Sequence, residues 1–177
     1  MFLLLTRGGP IMYVLLGFSI VSLAIIMERA LFWIRIRRQG DKFTSDIIKK
    51  TISFYQEAGQ VSSDKLLEAA LAVEMPSMRR YLDILDTIIT AAPLLGILGT
   101  VVGIINAFGF LGPSGGDPRA VSGGISVALL TTAAGLVVAL ISLIPYNYFN
   151  SRIEEAVTEI EKAMFQLHMR LEGNGEK

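Results

Sequence analysis

Three long stretches without a charged residue constrain this chain more than any other feature of its sequence. They cover residues 8–27, 87–116 and 120–151. A helix needs about 20 residues to cross the hydrocarbon core of a bilayer, and each stretch reaches that length. In lipid every backbone polar group must be paired internally, so an isolated apolar span of this length is expected to be helical. The sequence therefore predicts an all-α membrane protein with three transmembrane helices.

The first stretch has an alternative interpretation as a cleaved signal peptide. The apolar core of a signal peptide is typically about 7–15 residues long and precedes a small-residue cleavage site. Here the apolar run is longer and ends directly in Glu28 and Arg29, followed by WIRIRR at 33–38. We therefore interpret it as a retained transmembrane helix. Glu28 and Arg29 are expected to form a solvated or interfacial boundary, with Trp33 as an interfacial anchor.

The basic residues predict the orientation of the chain. Cytoplasmic loops carry an excess of Lys and Arg, and 14 of the 16 such residues lie in regions 28–86 and 152–177. The N-terminus is therefore expected outside and the C-terminus inside. The expected segments are a first transmembrane helix within 1–35, a cytoplasmic helical insert over 36–86, a second transmembrane helix over 87–111, an external turn over 112–121, a third transmembrane helix over 122–150, and a cytoplasmic amphipathic helix with a tail over 151–177.

Both cytoplasmic segments are expected to extend the transmembrane helices. The insert contains SSDKLLEAALA at 62–72, which begins with residues that cap helices. After the third span, apolar residues recur at alternating spacings of four and three, as in an amphipathic helix with a coiled-coil-like seam. This helix is expected to pack on the chain's own insert, on a neighbouring copy, or on both. The seam consists of Ile153, Val157, Ile160, Met164, Leu167 and Leu171.

The composition argues against an enzyme and against metal or nucleic-acid binding. The chain has no cysteine and a single histidine, His168, so it lacks the side chains of thiolate and multi-histidine metal sites. Its formal net charge is zero, whereas nucleic-acid-binding domains are strongly basic. The sequence contains no nucleophile motif, metal cluster or phosphate-binding loop. We therefore expect no catalytic residue, no bound metal and no cofactor.

Small residues recur at helical spacing on the second and third spans. Membrane helices approach one another closely through small residues, so tight helix packing is the simplest explanation of this pattern. The second span carries Gly96, Thr100, Gly103 and Ala107 on one face, and the third carries Gly124, Ala128, Thr131, Gly135, Ala139 and Ser142.

The threonines have two interpretations. A threonine in a membrane helix often returns its hydroxyl to a carbonyl one turn earlier. Alternatively, if several copies surround an axis, Thr100, Thr131 and Thr132 form a ring of hydroxyls that holds water and passes protons. Neither long span contains Asp, Glu, His, Lys or Arg, although an ionisable group usually marks an ion pathway through a membrane. Either this protein moves no ions, or a partner supplies a carboxylate.

Both long spans resemble membrane helices two and three of the MotA/TolQ/ExbB proton-channel family, most closely its ExbB and TolQ branch. The similar segments are AAPLLGILGTVVGIINAF at 91–108 and GGISVALLTTAAGLVVALISLIPYNYF at 123–149. In the first segment, an Ala-Pro pair at 92–93 is followed by glycines at 96, 99 and 103, with a Gly-Thr pair at 99–100. In the second, a threonine at 132 is followed by a Gly-Leu pair at 135–136 and by Pro-Tyr-Asn at 145–147. The first span and the insert match in layout only.

The resemblance implies a ring of identical subunits, five being expected, in the inner membrane of a bacterium. The external side is then the periplasm, and membrane lipids surround the ring. Such a ring encloses the single-span helix of an ExbD- or TolR-type partner, whose membrane aspartate is the protonatable group. Proton flow then performs work on a TonB- or TolA-type protein, in support of outer-membrane transport or integrity. A stator of another proton-driven motor, gliding or flagellar-like, and a non-conducting membrane scaffold remain alternatives.

The resemblance also assigns residues. Thr100 and Thr132 match the family's pore-lining threonines, and Thr131 is a neighbouring candidate. Many members carry a glutamate five residues before the second threonine, a position that Val127 occupies here. We therefore expect this protein to depend on the partner's carboxylate alone. The positions expected to shape and pack the helices are Pro93, Gly96, Gly99, Gly103, Gly124, Ala128 and Gly135.

Overall fold

A computed structural model describes residues 9–39, 71–72, 75–109 and 118–175 of the chain. They form three long helices, α1 (Gly9–Gln39), α2 (Leu82–Gly109) and α3 (Pro118–Gly175). Residues 75–79 are also helical and lead through a turn at 80–81 into α2. The helix expected over 62–72 and the turn expected over 112–121 lie largely outside the described residues.

Three segments of the chain are long and apolar enough to cross a membrane. These segments are Gly9–Ile36, Met75–Gly109 and Pro118–Ala163. Each exceeds the roughly 20 residues that a bilayer requires, so tilting or extension beyond the membrane is expected. The prediction of three apolar helices in an all-helical chain is confirmed for the residues that the structure describes.

The third helix begins earlier and runs further than a single membrane span. Its first residue is Pro118 rather than the expected residue 122. Proline suits this position because its fixed φ fits a helix and the first turn does not use its missing N–H. The helix then continues through the apolar block and the charged C-terminal segment to Gly175, with Pro145 inside it. The expected boundary at 150 is therefore a change in surface composition within one helix.

Contacts divide the chain into two compact units, the first of which contains Met1–Met27 and Tyr81–Tyr146. In the described part of this unit, all three helices share a small apolar core. Leu15 of α1, Ala92 of α2 and Ala139 of α3 are buried together. The two alanines permit close approach of the helices, as is usual in membranes. Five half-buried side chains pack against this core: Ile11, Phe18, Leu95, Ala134 and Val138.

Outside this core, the helices expose large aliphatic side chains. Ile20 is 62% exposed, Ile105 is 64% exposed and Ile144 is 73% exposed. Water-soluble monomers rarely expose extended apolar surfaces. This surface is therefore suited to contact with lipid or with other membrane helices.

A pair of serines connects α1 to α3 inside the apolar core. Ser22 Oγ and Ser142 Oγ lie 2.5 Å apart, and both side chains are buried. Because the Ser142 hydroxyl donates to the carbonyl of Val138 at 2.8 Å, Ser22 supplies the proton of the bond between the two hydroxyls. Such contacts between membrane helices contribute roughly 0.6 kcal/mol on average. This hydrogen bond between distant segments was not predicted from the sequence.

The second compact unit contains Glu28–Arg80 and Asn147–Lys177. In its described part, Met78, Phe149, Ile153 and Ile160 are buried, and Val157 is half-buried. The first part of the predicted seam therefore packs inside its own chain. The side chains of Met164, Leu167 and Leu171 lie outside the described residues.

Arg29 is enclosed in this second unit and is not solvated. Its side chain is 1% exposed, and its Nη1 donates to the carbonyls of Ser77 and Met78, each at 3.0 Å. These carbonyls lie at the end of the helical segment 75–79, where the chain turns and helical donors run out. Of the two expectations for Arg29, a solvated side chain is wrong, because the guanidinium caps this helix end. A position at the membrane interface stays a prediction.

Two further contacts complete the surroundings of Arg29. Its Nε donates to Glu28 Oε2 at 2.7 Å, and the side chain of Glu28 remains 43% exposed. The guanidinium carbon also lies 4.5 Å from the centre of the Phe32 ring. The buried charge is thus paired, hydrogen-bonded and stacked, which are the conditions under which a buried arginine is tolerated.

We expect Arg29→Lys to lower the stability of the protein by about 2–3 kcal/mol. A lysine lacks the planar fork that serves two carbonyls and a carboxylate together, and a hydrogen bond to a charged group contributes roughly 1.5–3 kcal/mol. Thermal unfolding in detergent, followed by circular dichroism, measures the effect. Arg152→Lys is the control, since Arg152 bonds Glu155 and Tyr148 on an exposed surface. Equal losses in the two variants would contradict the capping role.

Candidate functional site: the threonine face of α2 and α3

The two helices α2 and α3 run antiparallel and approach each other through glycine. A Cβ atom placed on Gly96 would lie 3.0 Å from Thr132 Cα, and one placed on Gly135 would lie 2.5 Å from the carbonyl oxygen of Ala92. Both neighbours are backbone atoms, which cannot move aside as a flexible side chain can. Only glycine at these two positions allows the helix backbones to come this close.

The contact continues toward the C-terminal end of α2. An added Cβ on Gly103 would lie 2.7 Å from Ala128 Cβ, and one on Gly124 would lie 2.6 Å from Ala107 Cβ. Gly99 faces the side chain of Thr131, with no room for an added atom. The helix pair is therefore in close contact over most of the length of α2. Six of the seven positions expected to shape or pack the helices lie at this contact: Gly96, Gly99, Gly103, Gly124, Ala128 and Gly135.

Thr132 joins the two helices through a hydrogen bond. Its hydroxyl donates to the carbonyl of Gly96 at 2.8 Å. In an α-helix the same carbonyl accepts the backbone N–H four residues later, which here belongs to Thr100. The Thr132 hydroxyl is thus held beside the helical turn that carries Thr100. Both threonines are half-buried. Each directly follows a contact position of its helix, Gly99 or Thr131. A step of about 100° in the same sense on antiparallel helices turns both to one side of the contact.

The other two hydroxyls bond within their own helices. Thr100 donates to the carbonyl of Ile97 at 2.6 Å, and Thr131 donates to the carbonyl of Ala128 at 2.7 Å. Thr100 is half-buried, whereas Thr131 is only 2% exposed and faces Gly99. The chain therefore brings Thr100 and Thr132 to one surface and places Thr131 inside the helix contact.

This hydroxyl arrangement favours a neutral hydrogen-bond donor. All three threonine protons point at carbonyls, whereas each hydroxyl oxygen keeps lone pairs that can accept. Water or a protonated carboxyl can therefore bind without any rearrangement. To donate to a carboxylate, the Thr132 hydroxyl must break its hydrogen bond to the Gly96 carbonyl. That carbonyl still accepts the backbone N–H of Thr100. That exchange costs about one hydrogen bond, on the order of 0.5–1.5 kcal/mol.

The apolar parts of α2 and α3 that carry the threonines, residues 87–109 and 120–151, contain no charged side chain. Val127 is half-buried and lies five residues before Thr132, which corresponds to roughly 140° around the helix. It therefore does not share the face of Thr132. These described parts of α2 and α3 therefore offer the threonines no charged side chain as a proton carrier.

One polar atom of this face was not predicted from the sequence, the carbonyl of Gly96 that accepts from Thr132. Glycine at this position was interpreted only as a packing residue. The available signal was the spacing of four between Gly96 and Thr100, which makes the carbonyl of the first the helical acceptor for the second. The hydrogen bond from α3 to that carbonyl depends on the crossing of the two helices, which spacing alone does not provide.

Comparisons with known proteins agree on one family. The model of the MotA/TolQ/ExbB proton channel family matches residues 39–162. A putative biopolymer transport protein ExbB-like 3 of Synechocystis is 30% identical, over 91% of this chain and 93% of its own length. A putative ExbB homologue of Methanothermobacter thermautotrophicus is 42% identical, over 66% of this chain and 41% of its own length. The biopolymer transport protein ExbB of Helicobacter pylori is 46% identical, over 40% of this chain and 49% of its own length.

Proposed function

Because the chain belongs to the MotA/TolQ/ExbB proton channel family, we propose that it forms the ring of a proton-driven motor. Several copies, five by family likeness, surround a lumen in the inner membrane of a bacterium. The N-terminus lies in the periplasm and the C-terminus in the cytoplasm, as the basic residues indicate. Proton flow through the ring is coupled to work on a TonB- or TolA-type protein.

The proposal is supported mainly by the placement of Thr100 and Thr132. Their hydroxyls lie on one side of a helix pair that is otherwise apolar, and Thr132 is held there by its bond to Gly96. Both hydroxyl protons already bond carbonyls, but each oxygen keeps lone pairs that lipid cannot use. A lumen with water or another polar chain is the environment that suits them.

In this assembly the proton carrier is a carboxylate on a single-span partner of ExbD or TolR type. The family model and the ExbB-named relatives support a transport role, and the absence of charged residues from 87–109 and 120–151 leaves the carrier to the partner. When protonated, the partner's carboxyl donates to a threonine oxygen and passes apolar surface at low cost. When ionised, it draws the hydroxyl protons away from their carbonyls.

The energy available to such a cycle is sufficient for small steps. One proton crossing a potential of 100 mV releases about 2.3 kcal/mol. The hydroxyl exchange at Thr132 costs about one hydrogen bond, which is on the order of 1 kcal/mol. One proton therefore supplies more free energy than the exchange of the Thr132 hydrogen bond consumes.

A reconstituted complex tests the proposal. The chain is purified with its single-span partner and placed in liposomes that carry a pH-sensitive dye. We expect a proton flux that the partner's aspartate-to-asparagine variant reduces to the level of empty liposomes, since an amide cannot carry the proton. The same variant of an aspartate outside the partner's membrane helix is the control. Flux that persists without the membrane carboxylate would overturn the proposal.

A non-conducting scaffold is the second candidate, and one observation favours it. Each of the three threonine hydroxyls already has a carbonyl acceptor inside the chain, so packing alone accounts for their hydrogen bonds. A scaffold predicts a stable complex with no flux that depends on the partner's carboxylate. The liposome measurement therefore separates the two functions directly.

A further inference from the structure

We propose that the main-chain carbonyl of Ile89 is a third polar site of the lumen. It binds a hydroxyl donor, which is either a water molecule or the protonated carboxyl of the partner helix. This inference deepens the proposed function and rests on the ring that surrounds a lumen. It concerns a backbone atom, and no substitution of the Ile89 side chain would detect it.

The chemical basis is the proline inside α2. Pro93 lies in the interior of the helix and has no N–H, so the helical bond to the carbonyl four residues earlier cannot form. That carbonyl belongs to Ile89. Inside a membrane an unpaired carbonyl is costly, and neighbouring hydroxyls or ordered water usually satisfy those that a proline frees. The Ile89 carbonyl therefore requires a donor from somewhere.

The described part of the first unit offers no side-chain donor to this carbonyl. On α2, the Thr90 hydroxyl donates to the carbonyl of Asp86 at 3.2 Å. On α3, the residue that faces Ala92 is Gly135, which carries no polar side chain. The α3 hydroxyls on either side of Gly135 already have acceptors, since Thr132 donates to the carbonyl of Gly96 and Ser142 to that of Val138. We therefore infer that the donor is a water molecule or belongs to another chain.

Helix geometry places this carbonyl on the face that carries the threonine site. Gly96 follows Ile89 by seven residues, which is two turns less about 20°, and Thr100 follows it by eleven, which is three turns plus about 20°. Along the axis these separations are about 10 Å and about 16 Å. Ile89 and Pro93 are half-buried, like Thr100. One line of α2 thus carries the Thr100 hydroxyl, the Gly96 carbonyl and the Ile89 carbonyl.

The position suggests what the site does. In the proposed topology, the N-terminal end of α2 is cytoplasmic, so the Ile89 carbonyl lies between the threonines and the cytoplasm. A carbonyl only accepts hydrogen bonds, so it selects water or a protonated carboxyl and disfavours a carboxylate. A donor held there continues the polar path from the threonines toward the cytoplasmic mouth of the lumen.

The second proline provides a matched control. Pro145 lies inside α3 and frees the carbonyl of Ile141 in the same way. Ile141 follows Thr132 by nine residues, which is two and a half turns, so it lies on the opposite face of α3. Pro145→Ala therefore restores a helical hydrogen bond away from the proposed lumen, whereas Pro93→Ala restores one within it.

A labelling experiment isolates the Ile89 carbonyl. The dipeptide Ile-Thr occurs once in the chain, at residues 89–90. Carbonyl-¹³C isoleucine combined with ¹⁵N threonine therefore selects this single peptide bond in solid-state NMR of the ring in liposomes. We expect rapid polarisation transfer from water protons to the labelled carbonyl. In Pro93→Ala we expect it to fall severalfold, to the level of an ordinary helical carbonyl, because the restored N–H then pairs with Ile89, with no change in Pro145→Ala.

Measurement with and without the partner identifies the donor. Transfer in the ring alone assigns the donor to water, and transfer that appears only with the carboxyl-bearing partner assigns it to the protonated carboxyl. A slow transfer in both preparations, or equal transfer in Pro93→Ala, would overturn the inference. These outcomes are independent of the aspartate test above, because that test measures flux and this one measures occupancy of a single carbonyl.

Discussion

Combining Thr100→Val with Thr132→Val is expected to lower partner-dependent proton flux about a hundredfold. Valine has the shape of threonine without its hydroxyl, so the variant removes the two polar groups and keeps the packing of α2 on α3. A hydrogen bond to a charged group contributes roughly 1.5–3 kcal/mol, which corresponds to about tenfold or more for each hydroxyl. Flux into liposomes that contain the complex, measured with a pH-sensitive dye, provides the comparison.

Two single variants control for the loss of any threonine. Thr87→Val removes a hydroxyl of α2 that is exposed and bonded to the carbonyl of Asp83, thirteen residues before Thr100 and on another face. Thr131→Val removes the buried hydroxyl that faces Gly99. Both are expected to keep the flux within about threefold, a change smaller than one hydrogen bond produces. Unchanged flux in a well-expressed double variant would remove the hydroxyls from the mechanism.

The sequence predicted the helices well because their cause is local. An uncharged run such as 87–116 has one stable arrangement in lipid, and α2 spans most of it. Helix ends depend on less local information. The predicted third helix began at 122, and the structure begins it at Pro118, because the apolar pattern shows where lipid contact ends rather than where the backbone leaves the helix.

On α3, the sequence predicted two adjacent threonines as candidates, Thr131 and Thr132, without deciding which of them lies at the surface of the helix pair. Thr131 and Thr132 differ by one residue, which is about 100° around α3. A stripe of small residues identifies the packed side of the helix but not its angular limits. The crossing of α2 and α3 places Thr131 against Gly99 and leaves Thr132 half-buried at the margin. That crossing is a property of two helices together, so neither segment alone specifies it.

Polar contacts between distant segments were the least predictable. Ser22 and Ser142 are separated by 120 residues, and Arg29 and Ser77 by 48. A charge after an apolar run is usually a membrane boundary, and nothing near Arg29 in the sequence indicates the helix end that it caps. That helix end precedes the turn at 80–81, where Tyr81 has a φ of 64°, a conformation uncommon for a bulky residue.

The distance between α2 and α3 connects packing to the proposed function. Thr132 reaches the Gly96 carbonyl at 2.8 Å because the two backbones nearly touch at Gly96 and Gly135. A Cβ on Gly135 would lie 3.1 Å from Gly96 Cα, in addition to its contact with Ala92. Any side chain at Gly135 therefore separates the helices at the level of the threonine bond. A change of one methyl group acts on stability and on the threonine site together.

Gly135→Ala is accordingly expected to destabilise the protein by about 1–3 kcal/mol, the usual cost of overpacking a closely packed contact. The same substitution in an unconstrained helix favours folding by up to about 1 kcal/mol. Gly123→Ala tests this within α3, since an added Cβ there meets nothing within 4 Å. Thermal unfolding in detergent should move the two variants in opposite directions, and flux should fall only in Gly135→Ala. If both variants stabilised the protein, the close approach at Gly135 would not be what holds Thr132 against Gly96.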